Sequence, residues 1–303
     1  MRFRTAIINV ALLHKIARSL AALAKTCVIR LSPEQVHFIV PGNEGSTGVQ
    51  VWSQVKVSTL FDSYKIESNA NNEIWLELHL DSLMKVLRSA DSSVGGIGES
   101  TRHTATLSDA DVTLKLNKKG NQPIWAFEIR GKTAARKSMS ITHEIDVKIL
   151  SPKRQQELQE PLCPQPDIHV VLPNLYEMRN LVSRLSHVAD DVKVSANHEG
   201  TLDLSVNSPR VKLSTTWKDL GVPQSNAVQE DDNEEPPPPA DKMFSANVSI
   251  KGLLKFLTSH LVGGTAIACI CEDHCLIAYV YIGELNEAGG VLTFFIPAKN
   301  TDD

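Results

Sequence analysis

Cys269, Cys271 and Cys275, with His274 beside the last, form the densest group of metal-ligating residue types in the sequence. Structural zinc sites are built from paired C-x2-C knuckles, whereas this run is C-x-C-x3-C. Cys269 and Cys271 would share one face of a strand and Cys275 would lie on its hairpin partner, so we read all three as structural thiols. Gly95-Gly96-Ile97-Gly98 has no Lys-Ser or Lys-Thr after it. It also follows a helix instead of joining a strand to one, which a phosphate-cradling loop requires. His103, His143, His169, His187 and His198 are scattered without metal spacing. Asp190-Asp191 reads as a turn between helix and strand, not as a pair of catalytic carboxylates. No nucleophile elbow or other triad signature is present. The expectation is a chain with no catalytic residue, no metal site and no cofactor.

The residues that do form a pattern are basic. At about 100° per residue, Leu13, Ile16, Ala17, Leu20 and Ala24 share one arc of a helix over Ala11–Lys25, and His14, Lys15, Arg18 and Lys25 share the other. The same design recurs three times. In Asp81–Ala90, Lys85 and Arg88 oppose Leu83, Val86, Leu87 and Ala90, and Asp81 can cap the helix. From about Asn174 to Val188, Arg179 and Arg184 flank Leu175, Met178, Leu181, Val182, Leu185 and Val188. In Ile250–Leu261, Lys251 and Lys255 oppose Ile250, Leu253, Leu254, Phe256 and Leu257. Nine Lys or Arg residues thus stand on four helices against two acids, Asp81 and Glu177, although the whole chain has a net charge of -4. Burying each apolar arc against a sheet forces the cations outward, giving a surface suited to phosphates. With no aromatic residues interleaved, base stacking is not indicated, and duplex backbone is the better ligand.

These helices need sheets beneath them. Each follows a strand and precedes several more: Arg2–Ile8, Thr26–Leu31, Val36–Val40, Val49–Val57 (with Trp52 out of phase) and Phe61–Ile66; then Glu73–Leu80, Val112–Leu116, Ile124–Ile129 and Ser140–Ile149; then Asp167–Leu172, Val192–Ala196, Thr201–Val206 and Val211–Trp217; then Met243–Ile250, Ala266–Cys271, Leu276–Tyr281 and Val291–Ile296. The strand-helix-strands unit starts near positions 1, 73, 167 and 243. Two units per half give an α+β chain of two similar domains, 1–150 and 167–303, each an antiparallel sheet assembly with two helices on one face. Four prolines in Ser151–Pro166 mark an interdomain linker. Residues 91–110 read as a loop. The acidic, proline-rich 222–240 cannot bury enough apolar area to fold and reads as a disordered insert.

A length of 303 residues with 42% apolar composition suits two domains with real cores. Five cysteines without framework spacing read as reduced thiols of an intracellular protein. No apolar run reaches the roughly 18 residues of a membrane span. The basic, acid-free first 25 residues have the pattern of a mitochondrial presequence. The strand before the helix, and the recurrence of the unit deeper in the chain, argue against that reading.

Several short motifs, in order along nearly the whole chain, carry a resemblance. They are Met1-Arg2-Phe3-Arg4; Ala24-Lys25-Thr26-Cys27 with Arg30-Leu31-Ser32-Pro33; Asn71-Asn72-Glu73-Ile74-Trp75-Leu76-Glu77-Leu78; Leu158-Gln159-Glu160-Pro161 followed by Pro164-Gln165-Pro166-Asp167; Trp217-Lys218-Asp219-Leu220-Gly221; and Phe295-Ile296-Pro297-Ala298. With the repeated unit, they make the chain resemble the PCNA-like sliding clamps, and among these the Hus subunits of the heterotrimeric DNA-damage checkpoint clamp, the nine-one-one complex. The resemblance implies a noncatalytic, nuclear subunit of a ring with two other clamp-like proteins. An ATP-driven clamp loader would open and close the ring on duplex DNA without sequence specificity, and the ring would support checkpoint kinase activation and recruit repair factors. It implies that Lys15, Arg18, Lys25, Lys85, Arg88, Arg179, Arg184, Lys251 and Lys255 face DNA. Ring-forming edges would fall at Met139, Ile141, His143, Ile145 and Val147 and at Arg210, Val211, Leu213 and Trp217. Ser151–Pro166 would lie where clamps dock partner peptides. The alternatives are a homotrimeric replication clamp and, from another class, a metal-binding or mitochondrial enzyme. Arg136-Lys137 is too short to be a nuclear import signal.

Overall fold

The computed structural model describes residues 1–42, 47–94, 107–133, 135–208, 211–223 and 238–299. Gly95-Gly96-Ile97-Gly98, His103, Arg210 and residues 224–237 of the acidic proline-rich stretch lie outside the described residues. The chain forms two compact units: 1–41, 51–159 and 288–291 in the first, and 42–50, 160–287 and 292–303 in the second.

The first unit runs β1 (Arg2–Ile7), α1 (Val10–Ala21), β2 (Thr26–Leu31), β3 (Gln35–Val40), β4 (Gln50–Lys56), α2 (Val57–Leu60), β5 (Phe61–Glu67), β6 (Ile74–His79), α3 (Leu80–Val94), β7 (Ser108–Lys119), β8 (Gln122–Lys132), β9 (Ser138–Ile149) and α4 (Pro152–Gln156). Its strands are ordered β4-β3-β2-β6-β9-β8-β7-β1-β5, antiparallel throughout. β9 changes partner along its length. Ser138–Asp146 pairs with β8, and Val147–Ile149 pairs with β6. Ser138–Asp146 is therefore bonded along one side only among the described residues.

The second unit runs β10 (Ile168–Val171), α5 (Leu175–Leu185), β11 (Asp191–Ala196), β12 (Leu202–Asn207), β13 (Lys212–Trp217), β14 (Phe244–Ser249), α6 (Ile250–Leu257) with a 3-10 turn at Thr258–Leu261, β15 (Ala266–Cys271), β16 (Cys275–Ile282) and β17 (Gly290–Pro297). One run of strands is β10-β15-β16-β17, and the other is β13-β12-β11-β14 with β13 at its edge. Helices pack in pairs, α1 beside α3 in the first unit and α5 beside α6 in the second.

Alternation explains most strands. Val192, Val194 and Ala196 of β11 are buried with Leu202, Leu204 and Val206 of β12 and Phe244, Ala246 and Val248 of β14, one face of a half-buried sheet. Trp52 breaks the alternation of β4 because this part of the sheet is covered on its other face too. There Val28, Ile39, Leu150 and Leu158 form a small core, with Trp52 and Trp75 packed against it. The first half of the proline-rich stretch supplies that cover. Ser151 caps α4 by accepting from the Arg154 amide, and Pro152 occupies the first turn, where its missing N–H costs nothing. Leu158 then inserts into the core.

Several helix boundaries differ from the sequence reading, and α5 ends at Leu185, leaving Val188 outside it and exposed. α1 stops at Ala21, because the Leu23 and Ala24 amides both turn back to the Leu20 carbonyl and let Leu23 be buried. Lys25 is therefore off the helix. α3 begins at Leu80, which puts Asp81 inside its first turn instead of at the cap, and it continues to Val94. α2 occupies Val57–Leu60, taking the last residue of the expected strand Val49–Val57 and the unassigned Ser58–Leu60 before the next one.

Leu158→Ala should lower the stability of the first unit by about 2 kcal/mol, in the range for truncating a buried Leu. The change would be read from the urea midpoint of Trp fluorescence, since Trp52 and Trp75 border the cavity it would leave.

Candidate nucleic-acid interface

α1 is started by Asn9, whose side chain accepts from the Leu12 amide at 3.0 Å. Leu13, Ile16, Ala17 and Leu20 are buried, and Lys15 and Arg18 on the opposite arc are exposed. On α3, Leu83, Val86, Leu87 and Ala90 are buried and Lys85 and Arg88 are exposed. The two basic arcs meet around His14. Its Nδ1 lies 3.6 Å from the Asp91 carboxylate, and Arg18 and Arg88 both act on the ring electrostatically. Burial pushes the His14 pKa below its ordinary value, Arg18 and Arg88 push the same way, and Asp91 resists. Asp91 is an acid that the extra length of α3 adds to this surface. The arrangement presents fixed cations around a neutral imidazole, which suits phosphate oxygens.

In the second unit, Asn174 caps α5 by accepting from the Tyr176 and Glu177 amides at 2.9 and 3.2 Å. Arg184 and Lys251 are exposed, whereas Arg179 and Lys255 are half-buried. The Arg179 Nε is enclosed without an acceptor. Arg179 shares a turn with Met178 and Val182, which point into the core, so its stem is drawn down with them. Lys25 is exposed ahead of β2. The linear reading missed Tyr176, an exposed aromatic three residues before Arg179 whose ring lies 5.4 Å from that of His260. That i, i+3 spacing was the available signal.

The expected edge residues divide. Met139, Val211 and Leu213 are about 40% exposed, and Ile141, His143 and Trp217 are half-buried. Ile145 and Val147 are buried, Ile145 opposite Trp125 of β8 and Val147 where β9 begins to join β6. His143 Nε2 is 3.0 Å from the Ser89 hydroxyl of α3.

The groups set aside on spacing have structural partners. Cys271 faces Cys275 across the β15–β16 hairpin and its thiol donates to the Pro164 carbonyl. Burial raises the Cys269 thiol to about 12 and Cys275 to about 11. Among the described residues no three His, Cys, Asp or Glu are grouped to hold a metal ion. Asp191 pairs with Lys299 at 2.6 Å, and the Asp190 carbonyl accepts from Ile250. A cavity of about 200 Å³ in the second unit is lined by Pro161, Leu162, Pro164, Cys275, Phe295 and Pro297. Leu162 is fully exposed beside it.

The fold is that of the PCNA-like DNA clamps. It superposes on the proliferating cellular nuclear antigen of Entamoeba histolytica with a TM-score of 0.67 at 15% identity, covering 98% of this chain and 99% of that one. The Hus1-like protein family model matches residues 1–300. The checkpoint protein hus1 of Schizosaccharomyces pombe is 35% identical over 98% of both chains. The human checkpoint protein HUS1 is 29% identical, over 98% of this chain and 99% of that one. The chain belongs to the Hus1-like family.

Burial holds His14 and His37 below the usual histidine pKa. A group depressed in this way contributes stability above its unfolded value of about 6.5 and loses it as the pH falls below that. The first unit should weaken between pH 7 and pH 5, and the His14→Gln, His37→Gln double variant should show a flatter profile. Urea midpoints across that range would check this.

Proposed function

We infer that this checkpoint clamp subunit is one of three clamp-like chains in a ring that encircles duplex DNA without sequence specificity. The subunit is noncatalytic and works in the nucleus. It is loaded by an ATP-driven clamp loader, and the ring supports checkpoint signalling and recruits repair proteins.

The observation that carries the ring is the pair of unpaired strand edges, one in each unit. Ser138–Asp146 of β9 and all of β13 have one bonded side each among the described residues. Their core-side residues Met139 and Leu213, and Val211 just ahead of β13, are left part-exposed. A free edge with open apolar positions is what a neighbouring strand needs, the main chain giving the bonds and the side chains the specificity. Ile145 and Val147 support the β9 edge from inside, and Met139, Ile141 and His143 meet the neighbour. The DNA face is formed by Lys15, Arg18, Lys85, Arg88, Arg184 and Lys251. Lys25, Arg179 and Lys255 contribute charge from its margins. Client peptides dock at the cavity beside Leu162.

A homotrimeric replication clamp is less well supported, since the full-length relatives are checkpoint proteins. Native mass separates the two readings. The tagged chain recovered from nuclear extract should form an equimolar complex with two different clamp-like proteins, and the pure chain should form no homotrimer. Replacing Lys15, Arg18, Lys85 and Arg88 by Ala should speed loss of the assembled ring from circular DNA and reduce the salt slope of binding by roughly 3 to 4, at about 0.9 per neutralised phosphate. Retention with an unchanged slope would remove the basic arcs from the DNA face.

A further inference from the structure

We propose that Tyr176 and His260 form a stacking platform for an unpaired base, so that the second unit holds frayed or single-stranded nucleotides in addition to duplex backbone. This rests on the clamp reading above and names a further part of its ligand. Tyr176 stands in the first turn of α5 between buried Leu175 and Met178, yet it is 56% exposed, the one aromatic side chain among the described residues left so open. Nothing in the core requires a large ring there. His260, in the 3-10 turn after α6, meets it with ring centroids 5.4 Å apart and planes tilted by 52°. The His260 Nδ1 bonds the Leu257 carbonyl at 2.8 Å, which pins the imidazole and backs the tyrosine on one side.

The surroundings favour a base over a phosphate. Glu177, exposed beside Tyr176, repels a phosphate placed over the ring but leaves a neutral base unaffected. Asn180, exposed four residues on, lies on the same side of the helix and offers an amide to a base edge. Arg184, one further turn along α5, and Lys251 on α6 are exposed cations able to hold the flanking backbone. Aromatic side chains stack any base with little sequence preference, in keeping with a protein that reads no sequence.

The test uses the assembled complex containing the full chain. It compares binding of a blunt DNA hairpin with that of the same hairpin carrying a three-nucleotide unpaired tail with 5-iodouracil at its centre. Wild type should prefer the tailed hairpin and crosslink through Tyr176. Tyr176→Ala should lose that preference, weakening tailed DNA by about five- to 150-fold with blunt DNA unchanged. Tyr176→Phe should retain the preference, and Lys251→Ala should weaken both DNAs alike. An unaltered tail preference in Tyr176→Ala, in a complex of normal native mass, would overturn the platform, as would crosslinks confined to other segments. Blunt-hairpin binding that survives removal of Lys15, Arg18, Lys85 and Arg88 with an unchanged salt slope would instead remove the first unit's basic arcs from the DNA face and leave the platform standing, so the two failures are distinguishable.

Discussion

Burial of one oily arc on each helix is the constraint on which the rest depends. Ile16, Leu20 and Leu87 are fully enclosed, and each such side chain contributes on the order of 1.5–3 kcal/mol when removed from water. Turning α1 by one residue, about 100°, would bring Ile16 and Leu20 into solvent and carry Arg18 toward the core. The direction of the cations is thus set by hydrocarbon, not by attraction to any partner. The same constraint explains the exceptions. Arg179 is drawn half inside because its neighbours on α5 are core residues, and His14 stays neutral because the α1–α3 contact encloses part of its ring.

Strands and sheet edges obey a second rule, that a strand can serve two neighbours only where both lie beside it. β9 satisfies this by serving them in turn. Its first nine residues take β8 and its last three take β6, and the change of partner opens one side. At β13 the cause is simpler, since no described strand follows it in the sheet. Its outward hydroxyls are tied down instead, with Ser214 and Thr216 donating to Asp203. This orders the edge without covering it.

Much of this was legible in the residues. Alternation located the strands to within a few residues, and the four amphipathic arcs identified the helices whose cations face out. What escaped has physical reasons. The extension of α3 through Asp91-Ser92-Ser93 has no apolar period to betray it. Val57-Ser58-Thr59-Leu60 is one helical turn between two strands, too short to show a helical period. Trp52 read as an irregularity because a linear pattern does not reveal a second core on the other face of a sheet. The burial of Val147 depends on where β9 crosses to β6, a tertiary fact. Ser151-Pro152 was a visible helix start, outweighed by the run of prolines behind it.

The two units are not successive stretches of chain. Residues 288–291 complete the first unit, where the Gly289 carbonyl accepts from the Lys56 amide at 2.8 Å and the Thr59 hydroxyl at 2.9 Å. Gly289 and Gly290 fit there because a Cβ would strike Thr59 or the Gln54 carbonyl. During synthesis these donors must wait until residue 289, after nearly all of the second unit, has left the ribosome. At roughly 5–20 residues per second, that is a delay on the order of ten seconds, with β4 and α2 unfinished. The N-terminal half on its own therefore lacks one piece of its unit. A lesion near residue 289 would damage the part of the protein made first, and a gene divided at the linker would encode two fragments, the first of them missing its closing piece.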